Sequence, residues 1–149
     1  MEKKLKMKGE WFSYLYGPDG TLKDKRQGYN VVTTVGKEFL ASFLNSAVAT
    51  ASTFTGKYIA IGTGSTAESA SDTGMGTEVA RHTGTASYLS GQIFQISATF
   101  ATGSGTGAIV EYGLFSSNTA GTLISRDTES AINKGASDTL TVICQLTVS

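Results

Sequence analysis

Alternating apolar and polar residues in short runs predict a mainly β chain: a β-sandwich or jelly-roll-like domain with one α-helix and an N-terminal β-hairpin. The runs recur at roughly 8–12-residue spacing, separated by Gly-rich turns, as in sandwiches and barrels. Gly, Ser and Thr fill over a third of the 149 residues, charged residues make up 16%, and proline occurs once. Such a composition without alternation would point to disorder; with it, the chain reads as all-β. A helical period of 3.6 shows in one stretch only.

The first element is Glu10-Trp11-Phe12-Ser13-Tyr14-Leu15-Tyr16, an aromatic strand. Gly17-Pro18-Asp19-Gly20 turns it, since Pro18 presets φ and Gly20 permits φ > 0. Thr21 to Gln27 returns as a polar, basic strand, completing a hairpin with aromatics on both faces. Residues 1–28 therefore read as a basic, aromatic hairpin or arm on a body spanning 29–149, within a single domain.

A helix is expected over about 35–46, capped by Thr33 or Thr34. Val35, Phe39 and Phe43, with Leu40, Leu44 and Ala47, form its apolar stripe, and residues 47–55 read as a loop. Tyr58-Ile59-Ala60-Ile61-Gly62 is the next strand. It runs into fifteen residues, Thr63 to Thr77, made almost wholly of Gly, Ser, Thr, Ala and acids. A loop that long inside a compact domain is either functional or disordered. Beyond it come a weak strand at Thr85–Leu89 and a strong one at Gln92–Ala101, with Phe94, Ile96, Ala98 and Phe100 on one face. Ala108 to Phe115 is apolar on both faces apart from Glu111, as expected of a central strand. Thr122–Arg126 is a short strand. Asp138–Val148 alternates most cleanly, with Leu140, Val142, Cys144, Leu146 and Val148 facing inward.

Charge and composition narrow the function classes. Residues 1–37 hold eight Lys/Arg and four acids (8 − 4 = +4), leaving four bases and eight acids, or −4, for the remainder. Such a dipole suits head-to-tail contact between copies or a negative partner surface, and equally a set of solubilising lysines. The single Cys144 excludes an internal disulfide and, in an alternating strand, reads as a core residue. No apolar run approaches the ~18–20 residues of a membrane helix. The first lysines lead into Trp11-Phe12-Ser13-Tyr14 and not into a signal-peptide core.

His82 is the sole histidine, so any nucleophilic triad would have to be built on it. Zinc chemistry needs clustered Cys and His, which the chain does not have. Glu68, Asp72 and Glu78 lack the dense Asp/Asn ladder of calcium loops. Gly103 to Ala108 fits G-x-G-x-x-A but precedes a strand, so it reads as a turn and not a phosphate loop. No catalysis, metal or cofactor is expected. Nucleic-acid binding would need a basic aromatic face; the hairpin comes nearest, on an otherwise acidic body.

Two sets of residues remain as site candidates. Trp11, Phe12, Tyr14, Tyr16, Lys23, Lys25 and Arg26 make the hairpin a candidate interface, with more apolar surface than two strands can cover. Glu111, in an apolar strand, needs a cation if buried, and Arg81 and Arg126 are the candidates; an edge position facing water is the alternative.

Four stretches carry a family likeness: Asn30-Val31-Val32-Thr33 with Gly36-Lys37-Glu38-Phe39-Leu40; Ile59-Ala60-Ile61-Gly62-Thr63-Gly64-Ser65-Thr66; Asp72-Thr73-Gly74 through Glu78-Val79-Ala80-Arg81; and Ala108-Ile109-Val110-Glu111-Tyr112-Gly113-Leu114-Phe115. In this order they resemble a broad family of small structural proteins of tailed bacteriophages, over nearly the whole chain. Gly74-Met75-Gly76 departs from the family's habit of a leucine after Asp-Thr. The resemblance implies a non-enzymatic virion protein. Its form would be a capsid decoration or cement protein, or a tail, baseplate or head-fibre component. The implied partners are the major capsid protein or other virion proteins, and further copies of itself in a dimer or trimer, with no nucleic acid or membrane. A carbohydrate-binding β-sandwich that stacks sugars on Trp11, Tyr14 and Tyr16 is the reading from another class.

Overall fold

A computed structural model of the chain describes residues 6–49 and 54–149. It is mainly β with one helix. The elements are β1 (Met7–Tyr16), β2 (Leu22–Val32), α1 (Thr34–Ala49), β3 (Tyr58–Gly62), β4 (Glu78–Thr83), β5 (Thr85–Ser90), β6 (Ile93–Phe100), β7 (Gly107–Phe115), β8 (Leu123–Lys134) and β9 (Thr139–Val148). Every strand pair is antiparallel, in the order β4-β3-β7-β8-β2-β1-β9-β6-β5. The two strands at the ends of that order are consecutive in the chain, with Gly84 alone between them. The sheet must therefore curl until its edges meet, which gives a sandwich that is nearly a closed barrel. Gly84 sits at that corner because a Cβ there would stand 2.5 Å from Ile96 Cγ2 and 2.9 Å from the Lys57 carbonyl.

The core fills the curl. Ile59, Ile61, Ile96, Ala98, Phe100, Leu140, Val142, Cys144 and Leu146 are buried together, as their alternation predicts. Val148 departs from the pattern at 36% exposed, because it lies at the strand end where cover runs out. The strand expected over Thr122–Arg126 runs on to Lys134, with both faces buried from Leu123 to Asp127.

Helix α1 extends to Ala49, so the loop expected from residue 47 begins later; residues 50–53 lie outside the described chain. Thr33 is its cap: its Oγ1 accepts the Gly36 amide at 3.0 Å, while its own amide donates to the Ile124 carbonyl at 3.0 Å. Val35, Phe39, Leu40 and Phe43 are partly covered, but Leu44 is 64% exposed and does not join the stripe. The helix lies hard on β8 at Gly36, where a Cβ would meet the Ile124 carbonyl oxygen at 2.3 Å. That obstacle is backbone and cannot rotate away. Gly36→Ala should therefore lift the helix start, costing about 1–3 kcal/mol and lowering the melting temperature by several degrees. A circular-dichroism melt matching wild type would contradict this close packing.

The hairpin is no arm. β1 lies between β2 and β9, paired with β9 along its whole length from Met7↔Val148 to Tyr16↔Thr139. The proposed boundary at residue 28 falls inside β2. Trp11 and Leu15 are each 2% exposed and belong to the core, so removing residues 1–28 would take a central strand from the sheet.

Candidate functional site

Glu111 in β7 is fully buried, which demands compensation for its charge. The compensation comes from two directions. Three backbone amides of the 63–77 loop donate to the carboxylate: Gly64 at 3.0 Å, Thr77 at 2.6 Å and Gly76 at 2.9 Å. Arg126 in β8 adds Nε at 3.2 Å and Nη2 at 2.9 Å. Strand register explains the choice of cation. Glu111 pairs with Thr128, and Arg126 pairs with Gly113, so the two side chains are diagonal neighbours on one face. Burial pushes the Glu111 carboxyl up, but the amides of Thr77 and Gly76, then Arg126 and the Gly64 amide, outweigh it and hold the carboxyl below its ordinary value.

Arg126 is itself 2% exposed and spends its remaining donors on the same loop, with Nη1 to Asp72 Oδ2 at 2.9 Å and Nη2 to the Thr66 carbonyl at 2.8 Å. Asp72 Oδ2 also accepts the Ser69 amide at 2.8 Å, and Glu68 accepts from the Thr128 hydroxyl. The long Gly/Ser/Thr loop is therefore an ordered cover clamped from beneath. Glycine is needed at 62 and 64, where a Cβ would stand 2.6 Å from Glu111 Oε1. The acids at 68 and 72 are committed to this clamp, and among the described residues no group of three His, Cys, Asp or Glu is set to hold a metal.

Arg81, the other candidate cation, lies on the edge strand β4. It grips Glu78 through Nε (2.9 Å) and Nη2 (2.6 Å), donates Nη1 to the Ser117 and Ala120 carbonyls, and lies over the Phe115 ring at 3.5 Å. It pins the 116–121 turn and does not reach Glu111. His82 Nε2 is 2.8 Å from Ser104 Oγ, with its ring edge-on to Phe100. Cys144 is buried, and burial pushes its thiol well up.

The candidate interface residues separate by strand parity. Trp11 points into the core against Tyr112, ring centroids 5.9 Å apart. Phe12, Tyr14 and Tyr16 lie on the other face of β1, half-buried among their neighbours. Lys23 Nζ donates to both Asp138 oxygens at 2.9 Å, and Arg26 pairs with Asp24 and reaches the carbonyls of Ser130 and Ala131. Of the three basic residues, Lys25 alone has no ion pair among the described residues, and it stands exposed. Register extends the aromatic stripe across the sheet. Phe12 is flanked by Gln27 and Ile143, and then by Ser97 and Thr85. Tyr14 is flanked by Lys25 and Thr141, then by Thr99. Glu10 is flanked by Tyr29 and Gln145, then by Gln95. Tyr29 is 76% exposed. Lateral bonds already engage the amides, Gln145 to Gln95 at 2.9 Å and Gln27 to Glu10 at 2.7 Å. Lys25 and Glu10 are the only charges in these three rows and Lys8 lies in the row beyond, so the face is broad and aromatic with few charges.

Comparison with protein-family models, curated proteins and solved structures gave no significant match.

Sequence reasoning did not single out Asp127 and Glu129, which the structure buries or half-buries beside Trp11 and Arg26. The available signal was an acid at every second residue, Asp127 and Glu129, just after an arginine.

Proposed function

We propose that this chain is a non-enzymatic structural protein of a tailed-bacteriophage virion, acting as a capsid decoration or cement protein. It would dock on the major capsid protein, or another virion protein, as a homo-oligomer of two or three copies. The observation that carries this reading is the charge-poor sheet face bearing Phe12, Tyr14, Tyr16 and Tyr29. Covering such a face desolvates few charges, and its amides are already paired laterally, so its burial against a neighbour is cheap. The aromatics supply contact area at low entropic cost. The long loop, clamped on Glu111 and Arg126, gives a rigid body suited to a clamp between subunits. The likeness to tailed-phage structural proteins supports the same reading.

The test uses purified protein added to heads lacking it, with retention followed by sedimentation and immunolabelling. Tyr14→Asp and Phe12→Ser should stay folded yet bind at least ~30-fold more weakly, as expected for central aromatic contacts. Labelling at the tail or baseplate would move the protein to that part of the virion. Undiminished binding by both variants would remove this face as the interface. The carbohydrate reading loses Trp11, which is in the core; specific retention on a glycan array that depends on Tyr14 and Tyr29 would restore it.

A further inference from the structure

β2 and β8 are neighbours with the shortest ladder in the sheet, pairing only Val31↔Arg126 and Val32↔Ser125. Beyond those pairs the strands part, and side chains span the gap. From β2, Arg26 donates Nε to the Ser130 carbonyl at 3.0 Å and Nη2 to the Ala131 carbonyl at 2.6 Å. From β8, Asp127 enters the gap at 1% exposure, and among the described residues neither of its carboxylate oxygens has a hydrogen-bond partner. Glu129 lies beside it. A Cβ on Gly28 would stand 1.8 Å from Glu129 Oε1 and 2.6 Å from Asp127 Oδ2, so both carboxylates are tucked against β2 at a residue without a side chain. Trp11, the cross-strand partner of Gly28, lines the same cleft and its Nε1 is also unpartnered. The cleft has no room for a water molecule. An ionised carboxylate there has neither partner nor hydration.

Groups from every neighbouring element bear on Asp127. Burial first, then the charges of Glu129 and of Glu68 in the 63–77 loop, push its carboxyl up to about 7; the Thr128 amide, near but outside hydrogen-bond geometry, offsets part of this. Burial, then Glu68, also raises Glu129, against the pull of Arg26. Tyr112 of β7, its hydroxyl 3.1 Å from Ser13 Oγ of β1, is pushed up to about 12 chiefly by burial and stays neutral. Cys144 of β9 is likewise raised by burial and neutral. Arg26 is held charged by Asp24. Asp127 is therefore the group poised to change charge near neutral pH.

We propose that Asp127, seated with Glu129 under Gly28, is a proton-operated latch on the β2–β8 seam, closed when Asp127 is protonated and loosened when it ionises. The folded carboxyl lies above its ordinary value, so the stability it contributes is complete in acid and is lost as pH rises through about 7. Opening would reach two surfaces. β2 carries the hairpin with its aromatic face, and Glu68 ties the 63–77 loop to Thr128, between the two acids.

The test uses the full chain from pH 5 to 9, with denaturant unfolding and the emission of Trp11, the sole tryptophan. In wild type the unfolding constant should rise by up to about tenfold per pH unit between 5 and 7 and then level off. Trp11 emission should shift to the red over the same range. Asp127→Asn should flatten both profiles, and Glu129→Gln should keep the transition but move its midpoint to lower pH. Parallel wild-type and Asp127→Asn profiles would overturn the latch. Should Asp127→Asn fail to fold, an unmoved midpoint in Glu129→Gln would overturn it equally. Loss of the pH dependence on adding calcium alone would also overturn it, marking the cluster as a cation site.

Discussion

Glu111→Ala will cost the fold about 3–5 kcal/mol and free the 63–77 loop, the expected loss for breaking a buried pair from one side. The substitution leaves Arg126, 2% exposed, without its buried partner, and deprives the amides of Gly64, Gly76 and Thr77 of their acceptor. Urea unfolding measures the stability, and limited proteolysis between 63 and 77 reports the loop. A second variant separates ion pairing from loop anchoring. Buried ion pairs can often be exchanged for apolar pairs without loss, but here the carboxylate also serves three backbone donors. The double variant Glu111→Leu/Arg126→Leu should therefore remain destabilised and protease-sensitive. Recovery to wild-type stability would show that the loop does not depend on this carboxylate. The same carboxyl sets an acid limit. Its folded value lies below the ordinary one, so its contribution is present above the carboxylate range and is lost as pH falls through that depressed value.

Val142→Asp will unfold the protein. Val142 is fully buried in β9, between Ser13 of β1 and Ala98 of β6, neither of which can supply a countercharge. An unpaired carboxylate placed there costs roughly 4–5 kcal/mol or more, a large part of the ~5–15 kcal/mol by which a domain is stable. The adjacent Thr141, on the outer face between Tyr14 and Thr99, supplies the control: Thr141→Asp should change stability by less than about 1 kcal/mol. Solubility and a thermal melt distinguish the two. A folded Val142→Asp variant melting with Thr141→Asp would mean that β9 does not present alternate residues to the core.

Much of this architecture was legible in the chain because strand alternation is local. Leu140, Val142, Cys144 and Leu146 face inward, as do Ile96, Ala98 and Phe100, since successive Cβ atoms point to opposite faces. The turn at Gly17–Gly20 and the cap at Thr33 are likewise local, and the structure places both. The hairpin itself is local, but its place inside the sheet is not legible, because its two strands show no trace in sequence of β9, which covers the open edge of β1. The partner of Glu111 could have been read by drawing the β7–β8 hairpin, which sets Arg126 on the diagonal; Arg81 pairs across from Ala60 at the opposite side of β3.

Local pattern in the chain is enough to predict a mainly β, sandwich-like domain with one capped helix, a core set by period-2 alternation, and one long loop unable to bury itself. Those properties follow from sterics and hydrophobicity over a few residues. The assembled sheet makes β1 central, turns Trp11 inward and Phe12 and Tyr14 outward, sets Arg126 on Glu111, and seals Asp127 under Gly28. Each of these depends on which strands become neighbours and in what register. Burial and charge compensation are properties of that juxtaposition, and no single segment contains them.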